Sequence, residues 1–168
     1  RLASLVGCFA VRPSPTGAAD PFALRRACIA ILRTLLESPA RNPAYAKLSL
    51  HQLFAWAYEG LAATGRKLDL SKEDTLKKVG EFTSERLRGL IATQTSNAVA
   101  DAVSAGDVDH PAHALARARA LQAAGGKEWI AKAKTVAKRL SGISKESKPV
   151  LHDKSVFEKA DDHTIVDV

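Results

Sequence analysis

Aromatic residues are scarce, with two Trp, two Tyr and five Phe in 168 residues. Alanine is abundant instead, a balance that favours helices over a β sandwich. No alternating apolar–polar run is long enough for a sheet, so the chain reads as all-α. Methionine is absent, which leaves no initiator, and the abrupt opening "RLASLVGCFAV" reads as part of a fragment of something longer. That opening run is too short to span a bilayer and lacks a basic leader with a small-residue cleavage site. Cysteine is limited to Cys8 and Cys28, far apart in apolar surroundings, and both are expected as buried, reduced thiols. These absences leave a cytoplasmic protein without a membrane anchor as the expectation.

What remains is helix and positive charge. The length suits one moderate domain or two small subdomains. The formal net charge is +7, which points to a polyanionic partner, nucleic acid being the commonest.

Asp20 before Pro21 is a helix-start signature. The following helix carries Leu24, Cys28, Ile31 and Leu35 on one stripe, widened by Ile29, Leu32 and Leu36, so only the strip with Arg26, Arg33 and Glu37 is polar. "SPARNP" (38–43) ends it and is the expected hinge between subdomains. Ser49 with Gln52, and Ser71 with Asp74, mark two further helix starts. Leu50, Leu53, Phe54, Ala57 and Leu61 share a face of the first, and Gly65 stops it. Leu76, Val79, Thr83, Leu87, Leu90 and Ile91 keep helical spacing along the second. A short helix is expected around 98–105, another after His110-Pro111 ending at Gly125-Gly126, and a last one over "KEWIAKAKTVAKRL". In that last helix Ile130, Ala133, Val136, Ala137 and Leu140 are expected inward and the lysines outward. The total is a bundle of about six helices in two subdomains, followed by a polar, aperiodic linker or extended C-terminal tail at 146–168.

Chemistry-bearing motifs are few. "AAGGKE" has the Gly-Lys of a phosphate loop but neither the upstream glycine nor the following Ser or Thr, and reads as a helix stop and restart. His110 and His113, near Asp107 and Asp109, lack a third Cys or His for a metal, and a helix start with acidic caps accounts for them. Five scattered histidines assemble no Ser-His-Asp or Cys-His constellation, so no catalytic residue and no metal ligand is assigned.

The basic residues are more informative. Between Lys127 and Lys148 there are seven basic residues against two acidic. Lys127, Lys134 and Lys138, with Arg139 as a further candidate, project away from the apolar stripe. Such a face tracks a phosphate backbone or is ordinary solvated surface. Arg86 and Arg88, like Arg117 and Arg119, are two apart and face different directions, so one of each pair is open to a structural role. Of the opening pair, Arg25 is expected to be structural, pairing with a carboxylate or helix-end carbonyls, and Arg26 to be the exposed contact.

The stretch "PTGAADPFALRRACIAILRTLLE" (15–37) resembles the segment of the bacterial glycyl-tRNA synthetase β subunit that closes its HD-like domain. The likeness continues through "FTSERLRGLIATQTSNAVADAVSAG", "DHPAHALARARALQAA" and "KTVAKRLSGI", in order, over residues 1 to about 145. The resemblance implies an α/β assembly that charges tRNA-Gly with glycine. ATP and Mg would be used on the α subunit, which carries the class II catalytic core, and no cofactor would sit in this chain. The β subunit would contribute most of the tRNA binding, through a C-terminal helical region like the DALR anticodon-binding domain of arginyl-tRNA synthetase. On that scheme 1–40 ends an HD-like helical domain, 41–70 connects, and 71–145 is DALR-like. Candidate tRNA-binding residues are Arg26, Arg86, Arg88, Arg117, Lys127, Lys134, Lys138 and Arg139. The family's upstream domains and its downstream "P.DAFFD.V.V" pattern are missing here, as is the His-Asp signature of true HD phosphohydrolases. The alternative is a helical scaffold, outside any synthetase, whose basic face binds RNA or protein.

Overall fold

The structure is a computed structural model that describes residues 1–11 and 22–144. Within them lie seven α-helices and no strand: α1 (Leu2–Val11), α2 (Leu24–Glu37), α3 (Leu50–Ala62), α4 (Lys72–Gln94), α5 (Asn97–Ser104), α6 (Pro111–Ala124) and α7 (Glu128–Ser144). Two short 3₁₀ turns, Ser38–Ala40 and Pro43–Lys47, occupy the proline-rich link after α2. The all-α expectation holds. The helix beyond the expected six is α1, whose nearly uniform apolar run has no polar side to reveal its period. The expected tail at 146–168 and the "PTGAAD" turn lie outside the described residues.

Serine caps set three of the seven helix starts. The Ser49 hydroxyl accepts from the Gln52 N–H at 3.0 Å, and Ser71 from Asp74 N–H at 3.1 Å, each satisfying one orphan donor of the first turn. Ser96 does the same for Val99 at the start of α5. α2 departs from its expected start. Its N-cap is Ala23, which sits in the left-handed region at φ 55°, so the helix opens at Leu24 rather than at the proline. Gly65, at φ 71°, ends the α3 turn as its sequence position suggests.

Residues 1–125 and 126–168 form two separate units. The boundaries read from the sequence at 40 and 70 fall inside the first unit, where α1 to α6 share one core. Leu5, Val6 and Phe9 of α1, Leu24, Cys28, Leu32 and Leu35 of α2, and Phe54 of α3 are buried there. Val79, Leu87 and Ile91 of α4 join them with Ala100 of α5 and Ala114, Leu115 and Ala118 of α6. Burying each large side chain of this set contributes about 1.5–3 kcal/mol. Phe9 meets the Phe82 ring edge-on, centroids 5.1 Å apart. α1 packs chiefly on α3, and a Cβ on Gly7 would stand 3.3 Å from Leu61 Cδ1, so glycine permits that close approach. The chain returning to α4 is tied down by Asp69 and Leu70 N–H groups donating to the Ala10 carbonyl, and by Tyr58 OH donating to the Leu70 carbonyl.

Both cysteines are free thiols, as expected; Cys28 is buried and Cys8 half-buried. Burial pushes the Cys28 thiol above its ordinary value, against the opposing hydrogen bond to Thr83 Oγ1 at 3.7 Å. The second unit is the helix α7. Of its expected inward stripe only Ile130 is buried; Val136 and Leu140 are 55% and 60% exposed.

Candidate nucleic-acid interface

α7 presents its lysines in an ordered way. Lys127 opens the helix, its carbonyl accepting from the Ile130 N–H at 3.0 Å. Lys134 follows seven positions later and Lys138 four after that, spacings that at 100° per residue return to one face. The row therefore runs about 16 Å along the axis. All three are exposed. Arg139 is also exposed but, by the same period, faces the side of Lys132 and Glu128, which pair at 2.8 Å. Trp129, Val136, Leu140 and Ile143, all exposed, gather on the side away from the lysine row.

The arginines named from the sequence are spread through the first unit, and most are already engaged. Arg86 of α4 lies with its guanidinium 3.6 Å from the Phe82 ring centroid; its Nη1 donates to the Phe82 carbonyl at 2.8 Å and pairs with Glu85 at 2.7 Å. Its side chain is only 15% exposed. Arg88 Nε donates to Asp101 Oδ1 at 2.5 Å, joining α4 to α5. The Arg88 hydrogen bond holds the Asp101 carboxyl below the usual carboxylate value, and Asp101 in turn raises the guanidinium. Arg117 Nη2 donates to the Asp107 carbonyl, fastening the segment before α6 to that helix.

Arg25 and Arg26 are both exposed at the start of α2, and the carboxylate partner expected for Arg25 is not present among the described residues. Arg26 makes further contacts of its own. The structure thus sets Lys127, Lys134 and Lys138 on one face of α7 and Arg139 off it, while Arg26, Arg86, Arg88 and Arg117 belong to the first unit.

The acidic and histidine residues around 107–113 serve as scaffolding. The Asp109 carbonyl accepts from Leu50 N–H at 2.9 Å and its Oδ1 from His51 N–H at 2.7 Å, so this loop caps α3 rather than α6. Asp107 Oδ1 accepts from Asp109 N–H, the main cause of its lowered carboxyl pKa, with His110 and Arg117 adding to it. His110 and His113 stack with centroids 5.6 Å apart. Among the described residues no group of three or more His, Cys, Asp or Glu is arranged to hold a metal.

Arg119 and Arg33 are not among the binding candidates that the sequence singles out. Arg33 of α2 and Arg119 of α6 line one cleft of about 360 Å³ with Glu37 and Gln94. The signal was divided between a polar strip on α2 and an arginine pair on α6, and only packing of α2, α4 and α6 brings the two together.

Comparison with known proteins bears on the family of the chain. The glycyl-tRNA synthetase beta subunit family profile matches residues 1–105. The glycine–tRNA ligase beta subunit of Nitratidesulfovibrio vulgaris is 39% identical over 142 residues, covering 83% of this chain and 19% of the relative. The beta subunit of Desulforamulus reducens is 35% identical over 124 residues, 73% of this chain and 17% of the relative. That of Myxococcus xanthus is 38% identical over 126 residues, 72% and 17% respectively. The chain therefore spans less than one fifth of the length of these relatives. No solved structure matches it. None of the described helices is long and apolar enough to cross a membrane. With a family match over more than half its length and relatives aligned over most of it, the chain belongs to the glycyl-tRNA synthetase β subunit family.

Proposed function

We propose that this chain is a tRNA-recognising part of a glycine–tRNA ligase β subunit, acting in the cytoplasm without catalysing a step itself. In this reading the reaction, attachment of glycine to tRNA-Gly, takes place on an α subunit that holds ATP and Mg. The chain contributes affinity for the RNA. The observation that carries the reading is the lysine row of α7. Lys127, Lys134 and Lys138 stand on one exposed face of a helix in a family whose named substrate is tRNA. Lysine there acts as a point charge on phosphates, adding affinity without base readout. The engaged arginines Arg86, Arg88 and Arg117 take structural parts, and Arg26 and Arg139 are secondary contacts.

The test replaces Lys134 and Lys138 together by Gln and measures binding to tRNA-Gly and to an unrelated tRNA across a salt series. Both affinities are expected to fall by similar factors, and the slope of log K against log salt to become shallower by roughly 1 to 2. Thermal stability should hold, since both side chains are exposed. Unchanged affinity and slope would mean that the face is ordinary solvated surface.

A further inference from the structure

The cleft between α2, α4 and α6 has a chemical character different from the lysine row. Its floor is apolar, with Leu115 buried and Leu36 and Leu90 half-buried. Its polar groups are two guanidiniums, Arg33 and Arg119, one carboxylate, Glu37, the Gln94 amide and the Thr93 hydroxyl, which donates to the Leu90 carbonyl at 2.7 Å. Arg119 Nη2 donates to Gln94 Oε1 at 2.7 Å, which orients that guanidinium and leaves its other donors open. Neither Arg33 nor Glu37 forms an ion pair among the described residues. The volume of about 360 Å³ lies at the small end of the range for ligand clefts.

A bare phosphate suits this site poorly. α2 ends at Glu37 and α4 at Gln94, so two helix C-termini, the negative ends of their dipoles, reach the cleft beside a carboxylate. What fits is a neutral planar group with an apolar face, acceptors for the arginines and donors for the carboxylate. Among nucleobases guanine presents that set: O6 and N7 accept from arginine, while N1–H and the 2-amino group offer a carboxylate two adjacent donors. Adenine and uracil lack the paired donors. Cytosine offers a carboxylate its amino group but lacks the N7/O6 acceptor pair. Unstacked RNA bases are read in this way, against apolar or guanidinium surfaces and along their edges.

We propose that this cleft receives a single unstacked guanine of the bound RNA, with Arg33 and Arg119 donating to its acceptors and Glu37 accepting from its donors. The assignment rests on the reading of the chain as an RNA-binding part of the β subunit and adds base selectivity to it.

The experiment uses the chain with fluorescently labelled single-stranded UUGUU, UUAUU, UUCUU and UUUUU, read by anisotropy at fixed salt. UUGUU is expected to bind about tenfold more tightly than the others, within the range for one bidentate base contact. Glu37→Gln, exposed and near-isosteric, should bring the four within about twofold while leaving the melting temperature unchanged. The Lys134→Gln, Lys138→Gln double variant should keep the guanine preference, since neither lysine lines the cleft. Equal binding of the four by the parent chain, binding of none, or a preference that survives both Glu37→Gln and Arg119→Gln would overturn the cleft assignment. In each of those cases tRNA binding that depends on Lys134 and Lys138 would leave the wider function standing. Loss of that lysine dependence with an intact guanine preference would do the reverse.

Discussion

The guanidinium of Arg86 lies over the ring of Phe82, 3.6 Å from its centroid, and Phe82 meets Phe9 edge-on beneath it. A side chain that reads as a candidate RNA contact in the sequence is thus the lid of an aromatic pair linking α1 to α4. Arg86→Ala should lower unfolding stability by about 1–2 kcal/mol, through the lost cation–π contact and the lost cover of the ring. Affinity for tRNA should be unaffected. Urea unfolding with a parallel binding assay checks both, and a variant of normal stability with weak binding would return Arg86 to the interface.

Acid should loosen the junction of α4 and α5. The hydrogen bond from Arg88 holds the Asp101 carboxyl below its ordinary value of 3.8. A carboxyl with a lower pKa folded than unfolded stabilises the fold above the unfolded value and loses that contribution as pH falls through the folded one. The pair is exposed to solvent, so the effect is modest and screened by salt. The urea midpoint of the parent chain should therefore fall below about pH 4, and Asp101→Asn should start lower and fall less steeply. Superimposable acid limbs would show that this pair contributes nothing.

Thr75 is fully buried on the core face of α4, and its Oγ1 has no hydrogen-bond partner among the described residues. A buried hydroxyl without a partner carries its desolvation cost uncompensated. Thr75→Val keeps the shape and removes that oxygen, so it should raise stability by about 1 kcal/mol in chemical denaturation. Thr83→Val, two turns on, should gain less, because Thr83 Oγ1 accepts from Cys28 Sγ. Equal gains at both positions, or a loss at Thr75, would count against this account.

The contrast between Thr75 and Arg86 shows what the sequence displays and what it hides. The helical spacing of Val79, Thr83, Leu87 and Ile91 declares the buried face of α4, and Ser49 and Ser71 declare helix starts, because both signals are local. The lysine row of α7 is legible for the same reason, being a spacing within one helix. α1 escapes notice because its residues are apolar on every side. The ties of Arg86 to Phe82, of Arg88 to Asp101 and of Asp109 to the start of α3 depend on how distant segments pack, which no spacing reports. The Arg33–Arg119 cleft is hidden most completely, since its two arginines lie on α2 and α6, with three α-helices between them in chain order. Even a proline helix signature failed to set the start of α2, where the left-handed Ala23 intervenes.

That left-handed residue supports the last expectation. Ala23 holds φ 55° and ψ 28° at the N-cap of α2, yet its carbonyl still accepts from Ala27 N–H at 2.8 Å. For an L-residue with a Cβ this conformation costs about 1–2 kcal/mol, and glycine adopts it freely. Glycine also gives the unfolded chain more freedom, which offsets roughly 0.4–1 kcal/mol. Ala23→Gly should therefore be neutral or stabilising by up to about 1 kcal/mol. Ala23→Val, β-branched in the same conformation, should destabilise by more than about 1 kcal/mol. The two variants compared by thermal and urea unfolding separate backbone strain from side-chain packing, since a packing role for the Ala23 methyl would make the glycine variant the weaker of the pair. If glycine proves stabilising, the residue between "DPF" and "LRR" is a strained corner, and its effect on tRNA affinity then shows whether the strain serves binding.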